Sequence, residues 1–137
     1  MNNQSPLTTQ VGGSHYTKLK YQPMEFAMHA ELTACQFSVL KYVTRFKDKD
    51  GLRDLKKAHQ CCDLGLLLDI KVPDDDTHHL QAMLHRYIHD NELDELQDLA
   101  ISLVVMQKNY TRAKHFIEIM IGEWDDRLAT SNAQPSQ

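Results

Sequence analysis

The 137-residue sequence contains no long apolar run and few cysteines. No stretch approaches the roughly 20 uncharged apolar residues that a membrane-spanning helix needs, and the first residues lack the basic-then-apolar order of a signal peptide. The three cysteines are an odd number, and the adjacent Cys61 and Cys62 are poorly placed to pair with each other. We therefore expect no membrane partner, no disulfide framework and a cytoplasmic location.

Two signatures of phosphate and nucleic-acid chemistry are also missing. The sequence has no Gly-x-x-x-x-Gly-Lys-Ser/Thr loop and no strand-like alternation to precede one, which excludes a P-loop kinase. The net charge is -4, whereas a domain that binds nucleic acid in general is usually basic throughout. General nucleic-acid binding is therefore not expected.

The charge that is present is divided unevenly between the two halves. Residues 1–71 carry a net charge of +3 and the remainder carries -7. Such a division can guide an anionic ligand to the basic half, or bring basic and acidic surfaces of neighbouring subunits together. The hydrophobic share of 42% and the charged share of 25% are those of an ordinary globular protein with one core.

Apolar residues recur at helical spacing through most of the chain, which predicts an all-α fold in which a helical hairpin and further helices form a small bundle. A Thr33–Gln36 capping box begins the second helix, and Asp50 is the expected N-cap of the third. Segment 99–106 is apolar almost all round, as in a central or subunit-interface helix, and favours a homo-oligomer. The pattern predicts five helices. The first is short, starts at Pro23 and covers 24–30, the second ends at Phe46, and the third has a buried stripe through Leu66. The fourth covers 80–88, and the fifth starts near Asn91 and continues past Tyr110, with or without a bend near Asn109.

The same pattern divides one compact domain into four parts. Residues 1–10 are expected to be a flexible tail and 129–137 a disordered one. Between them lie a basic helical region, 11–71, which starts with a glycine-rich loop, and an acidic helical region, 72–128. Pro73 and the acidic run after it mark the boundary between these two regions.

Three short motifs occur in order in the basic half. They are Gly-Ser-His-Tyr at 13–16, Gln-Pro-Met-Glu-Phe at 22–26, and a basic stretch at 40–58 across the predicted hairpin. The series resembles a family of small bacteriophage proteins labelled nucleotide-kinase-like, some of which look like deoxynucleoside monophosphate kinases without a P-loop. The resemblance covers residues 11–68, and it implies a nucleotide ligand and, if the chain is encoded by a phage, the host cytoplasm as its location.

The residues of these motifs suit a phosphate-bearing ligand on physical grounds as well. Glycine at 12 and 13 permits backbone angles that point successive N–H groups at one anion. Basic residues spaced one helical turn apart on both helices of the hairpin can clamp phosphates. The candidate ligand-binding residues are Gly12, Gly13, Ser14, His15, Tyr16, Lys41, Arg45, Lys49, Arg53 and Lys57.

Three functions remain open from these observations. The first is a nucleotide kinase without a P-loop, with Mg²⁺ as a possible cofactor and His15 as the candidate acid, base or phosphate ligand. The second is a non-catalytic phage protein that sequesters a nucleotide or a nucleotide signal. The third is an all-α, Mg²⁺-dependent nucleotide pyrophosphohydrolase, because Glu95-x-x-Asp98 resembles part of its metal site, although the companion Glu-Glu-x-x-Glu is missing.

A separate metal site is not expected. His85 and His89 are one helical turn apart, but Arg86 stands where a His-Glu-x-x-His motif needs its glutamate. An exposed polar face is the preferred interpretation of these histidines.

Overall fold

The structure of the chain is a computed structural model that describes residues 5–69 and 78–133. The described residues form six α-helices and no strand, which confirms the all-α prediction. Short 3-10 turns occur at Pro6–Thr8 and Phe46–Asp48. The helices are α1 (Pro23–His29), α2 (Ala34–Arg45), α3 (Leu52–Leu68), α4 (His78–Asp90), α5 (Glu95–Gln107) and α6 (Tyr110–Ala133).

Four of these helices close a bundle. Helices α2 and α3 pack as the predicted hairpin, α3 packs on α6, α6 on α5, and α5 returns to α2. The shorter α1 lies against α2, and α4 lies against α5. Each of the four bundle helices contributes fully buried apolar side chains to one core, and these include Val39, Leu40, Val43, Leu55, Ala58, Cys62, Ile101, Val104, Ala113 and Ile117.

Capping boxes begin two of the bundle helices. The Thr33 hydroxyl accepts a hydrogen bond from the Gln36 backbone N–H at 3.3 Å, and the Gln36 side chain accepts one from the Thr33 N–H at 2.9 Å, which confirms the predicted box. A second box between Asp94 and Gln97 begins α5 at Glu95. The predicted start near Asn91 is therefore wrong, because Asn91 follows the last residue of α4 and Glu92 adopts φ of +54°, which interrupts the helical backbone.

The turn between α2 and α3 depends on glycine. The N-cap of α3 is Gly51 and not the predicted Asp50, and Gly51 adopts φ of +50°, a region that side chains disfavour. A Cβ at this position would lie 2.9 Å from the indole Nε1 of Trp124, so there is no room for a larger residue. The predicted α3 stripe also ends differently, because Leu66 is 54% exposed and Gly65 is buried against Tyr110.

A break at Lys108 separates α5 from α6, which settles the open question of a bend near Asn109. Lys108 adopts φ of +48°, and its ammonium group lies 3.2 Å from Asp69 at the end of α3. The same carboxylate accepts hydrogen bonds from the hydroxyl groups of Thr33 and Tyr110. Burial acts to raise the pKa of Asp69, but these hydrogen bonds and Lys108 hold it below its ordinary value.

The predicted tails are shorter than expected. Helix α6 continues to Ala133, so residues 129–133 are helical and not disordered, and residues 134–137 lie outside the described residues. The expected boundary at 72–77 also lies outside them. In the predicted flexible tail 1–10, residues 6–8 form a 3-10 turn.

The apolar segment 99–106 lies at the centre of the bundle. Helix α5 packs on α2, α4 and α6, so contacts within a single chain cover most of its apolar side chains. The homo-oligomer stays a prediction, but the burial of segment 99–106 within one chain removes this segment as an argument for it. None of the helices in the described ranges is long and apolar enough to cross a membrane.

Candidate functional site

A buried ion pair lies at the turn of the α2–α3 hairpin. The Arg45 guanidinium donates from Nε and Nη2 to the two carboxylate oxygens of Asp54, both at 3.1 Å. Asp54 is fully buried and the Arg45 side chain is 12% exposed. Burial acts to lower the pKa of Arg45, but its hydrogen bonds with Asp54 and Tyr16 raise it above the ordinary value. The partner of Asp54 is therefore Arg45 across the turn, and not Lys57 on its own helix.

Arg45 also contacts the loop that precedes α1. Its Nη1 donates a hydrogen bond to the Tyr16 hydroxyl at 2.7 Å. The predicted phosphate ligand Arg45 is therefore already bound to one carboxylate and one hydroxyl of the chain. Its two contacts join α2, α3 and the N-terminal loop at one point.

Three cations surround the ring of Tyr42 on the outer side of the hairpin. The Lys41 ammonium lies 4.6 Å from the ring centroid, the Lys57 ammonium 5.5 Å, and the Arg45 guanidinium 5.0 Å. Arg45 is neutralised by Asp54, but neither lysine forms an ion pair within the described part of the chain. Lys41 and Lys57, predicted from separate helices, are therefore brought together around one ring.

A groove opens beside this cluster between the N-terminal loop, α1 and α2. Its volume is about 290 Å³. Aromatic and apolar side chains make most of its wall, and the Lys41 side chain lies in both the groove and the cation cluster. The lining residues are Tyr16, Gln22, Pro23, Met24, Phe37 and Lys41.

The candidate His15 lies next to the groove residue Tyr16, with their ring centroids 4.2 Å apart, and is only 9% exposed. The Gln10 side chain holds this part of the loop. Its carbonyl oxygen accepts from the backbone N–H groups of Tyr16 and Thr17, and its amide nitrogen lies 2.9 Å from His15 Nδ1. The same amide nitrogen lies 3.3 Å from His15 Nε2, and an amide donor pairs only with a ring nitrogen that carries no proton, so these contacts favour the neutral ring.

The electrostatic surroundings of His15 favour the same neutral form. Burial lowers its pKa, and the positive charges of Lys49 and Arg45 lower it further, against the smaller influence of Asp54. Lys49, predicted as a phosphate ligand, therefore acts electrostatically on His15. A neutral histidine can accept a proton near pH 7, so of the roles expected for His15 the surroundings favour that of a base.

Other predicted ligand-binding residues do not line the groove. Gly12 and Gly13 adopt φ of +82° and +124° in the exposed loop before His15, as glycine readily does. Ser14 uses its backbone carbonyl to accept from Thr17 and Lys18 in the following turn. Arg53 lies with Lys56 and Lys57 along a shallow cavity on the outer face of α3.

The metal candidates of the acidic half do not form a complete site in the described residues. The rings of His85 and His89 stack at 6.5 Å, and the His89 ring lies 3.5 Å from Asp90. Asp98 accepts a hydrogen bond from Ser102 at 2.7 Å, within the first turns of α5. Within residues 5–69 and 78–133, no three potential metal ligands come together, so Glu95 and Asp98 gain no further partner there.

Sequence reasoning missed several residues of the groove and its support. Helical spacing alone predicts Phe37 and Tyr42 as apolar-face residues of α2, whereas Phe37 lines the groove and Tyr42 is the centre of the cation cluster. No motif of the sequence includes Gln10, whose side chain holds the loop. The Gln-Pro-Met motif at 22–24 was recognised, but only the structure shows that all three of its residues line a groove.

Comparison with known proteins adds one match. The sequence profile of a family described as a protein of unknown function (DUF3310) matches residues 9–63. No curated protein and no solved structure matches the chain. The matched segment is less than half of the chain, yet it contains every lining residue of the groove, the cation cluster and the Arg45–Asp54 pair.

Proposed function

We propose that the chain binds a nucleotide, with the phosphate at Lys41 and Lys57 and the base and sugar in the adjoining groove. The observation that supports this most is that Lys41 belongs to both places. A ligand with an anionic end and a flat apolar end would therefore contact both the cation cluster and the groove. Nucleotides combine these two properties.

The two lysines suit an anion because the fold leaves their charges uncompensated. Like charges near one another repel, and the repulsion is felt most where a protein surface limits access of water. Some other lysines of the described chain have acidic partners, as in Lys47 with Asp94 and Lys114 with Asp63. A bound phosphate would supply the negative charge that Lys41 and Lys57 lack.

The groove suits the other end of a nucleotide. Pockets for small ligands start at about 300 Å³ and are lined mainly by hydrophobic and aromatic groups, and this groove of about 290 Å³ lies at that lower limit. Stacking of a nucleic-acid base on an aromatic side chain is worth roughly 1–3 kcal/mol. Tyr16 and Phe37 are the aromatic residues available in the groove for such stacking.

The groove and the cation cluster suit both a nucleotide kinase and a protein that sequesters nucleotides. Kinase activity is supported by the family resemblance, and His15, whose ring centroid lies 4.2 Å from that of the groove residue Tyr16, would be its proton acceptor. Sequestration needs only the binding groove and the lysines. The two functions therefore share one ligand and differ in whether that ligand is consumed.

Nucleotide binding is tested by thermal shift of the full chain with deoxynucleoside monophosphates, nucleosides and inorganic phosphate. A ligand at 100 times its Kd stabilises the folded state by about 2.7 kcal/mol. We expect stabilisation by nucleotides, a smaller effect of nucleosides, and loss of the nucleotide effect in Lys41→Ala. Lys20→Ala is the matched control, because Lys20 lines a different cavity with His85 and Asp98.

The absence of any nucleotide-dependent shift would refute the proposal. Where a nucleotide binds, incubation with ATP and Mg²⁺ then separates the two functions. A new phosphorylated product supports the kinase, and recovery of the intact nucleotide supports sequestration.

A further inference from the structure

Tyr16 belongs to a segment with few attachments to the rest of the fold. Between residues 5 and 20 the chain forms one 3-10 turn and local hydrogen bonds. The Gln22 side chain donates to the Leu7 carbonyl just before α1 begins. Among the described residues, the bond from Arg45 to the Tyr16 hydroxyl is the hydrogen bond that joins segment 5–20 to the six helices.

The other end of this connection is held rigidly. Both carboxylate oxygens of Asp54 accept from Arg45, and the Asp50 backbone N–H lies 3.4 Å from one of them. A planar guanidinium held by two parallel hydrogen bonds has its remaining donors fixed in direction. The position of the Tyr16 hydroxyl is therefore set by a carboxylate that is fully buried and absent from the groove lining.

We propose that Asp54 and Arg45 are positioning residues that fix Tyr16 as the wall of the nucleoside end of the groove. This inference rests on the proposed nucleotide binding and adds that Asp54 controls affinity through Arg45 and Tyr16, without touching the ligand. Residues that support a binding side chain commonly decide how well it is oriented. Arg45 then acts on the nucleoside end, whereas Lys41 and Lys57 act on the phosphate.

The assignment predicts that a substitution at Tyr16 weakens the binding of one ligand and leaves the binding of another unchanged. A nucleotide uses the groove and the lysines, whereas inorganic pyrophosphate uses only the lysines. Loss of the Tyr16 hydroxyl would loosen the groove wall and leave the lysines in place. General destabilisation of the fold would weaken the binding of both ligands together.

The test is calorimetric titration of Tyr16→Phe with a deoxynucleoside monophosphate and, separately, with inorganic pyrophosphate. A tenfold change in Kd corresponds to about 1.4 kcal/mol, which is within reach of the loss of one hydrogen bond to a charged group. We expect the Kd for the nucleotide to rise about tenfold and the Kd for pyrophosphate to stay unchanged. Tyr110→Phe is the matched control, since its hydroxyl binds Asp69 and not a groove residue.

A second variant tests the route through Arg45. Arg45→Lys keeps the charge and loses the planar fork, so alone it should weaken nucleotide binding about as much as Tyr16→Phe. Added to Tyr16→Phe it should have no further effect on that binding, because the bond it acts through is already gone.

Three results would overturn the inference. The first is wild-type nucleotide affinity in Tyr16→Phe, and the second is an equal loss of affinity for both ligands. The third is additive effects of the two substitutions. In each case the wild-type chain still binds the nucleotide and the proposed function stands, whereas a wild-type chain that binds neither ligand refutes the proposed function itself.

Discussion

Replacing Asp54 by alanine tests the buried ion pair on which the candidate site rests. The substitution leaves the Arg45 guanidinium with 12% exposure and no carboxylate partner, and it also removes the acceptor that faces the Asp50 N–H. Breaking a buried pair by removing one partner costs about 3–5 kcal/mol. Because Arg45 keeps some contact with water, we expect the lower end, about 3 kcal/mol, from a total stability of roughly 5–15 kcal/mol.

Urea denaturation followed by circular dichroism measures this loss. With an m-value of about 2 kcal/mol per molar, a loss of about 3 kcal/mol lowers the midpoint by about 1.5 M. Asp63→Ala is the matched control, since it also removes an aspartate of α3 from an ion pair, with Lys114, but at the surface. Solvent screens that pair, so its removal should change the midpoint far less.

The reasoning would be refuted if Asp54→Ala unfolded at the same urea concentration as Asp63→Ala. A rescue variant sharpens the comparison. Arg45→Met combined with Asp54→Leu removes both charges together, and apolar replacement of a whole buried pair is often neutral. The double variant should therefore be more stable than Asp54→Ala, although its Tyr16 has lost the hydrogen bond from Arg45.

Three further predictions concern single residues. Gly65→Ala would place a Cβ 2.6 Å from the Tyr110 ring. We expect a net loss of stability of up to about 2 kcal/mol in urea denaturation, because overpacking costs about 1–3 kcal/mol and the gain in helix propensity returns about 1 kcal/mol. Burial and Lys49 hold the folded-state pKa of His15 below its usual 6.5. The unfolded chain therefore binds more protons in acid, so the stability that neutral His15 contributes above pH 6.5 is lost as the pH falls. The thermal-denaturation midpoint of His15→Asn should therefore fall less steeply with decreasing pH than that of the wild type. Burial raises the pKa of Cys62 to about 12, so its thiol should resist alkylation by iodoacetamide at pH 8 in a mass-spectrometric time course, unless the chain is unfolded first.

The features predicted well from the sequence are those that neighbouring residues decide. The Thr33–Gln36 capping box begins α2 as expected, because both partners lie within one helical turn. The stripe of Leu55, Ala58 and Cys62 is buried as its spacing predicts. Helical periodicity is a local property, and it therefore gave the correct fold class.

The features that were missed depend on contacts between distant parts of the chain. Gly51, not Asp50, is the N-cap of α3, and the Trp124 indole from α6 leaves no room for a side chain at that position. The break at Lys108 involves Asp69, which lies 39 positions earlier in the sequence. No pattern within a single helix contains either contact.

In the candidate site, too, patterns within one helix could be predicted, whereas contacts between separate segments could not. The basic stripes on α2 and α3 were visible in the sequence, and Lys41 and Arg45 looked equivalent there because they lie one turn apart. Burial separates them, since Arg45 reaches Asp54 across the hairpin whereas Lys41 extends beside the groove. The groove itself could not be predicted, because three separate segments form its wall.

Isothermal titration with a deoxynucleoside monophosphate, comparing the wild-type chain with Lys41→Ala/Lys57→Ala, tests the central claim most directly. The account predicts measurable binding by the wild type at low salt and a loss of at least tenfold in the double variant, while the charge-matched Lys20→Ala/Lys56→Ala variant binds as the wild type does. Equal affinities in the wild type and in Lys41→Ala/Lys57→Ala, or no binding by the wild type, would contradict it.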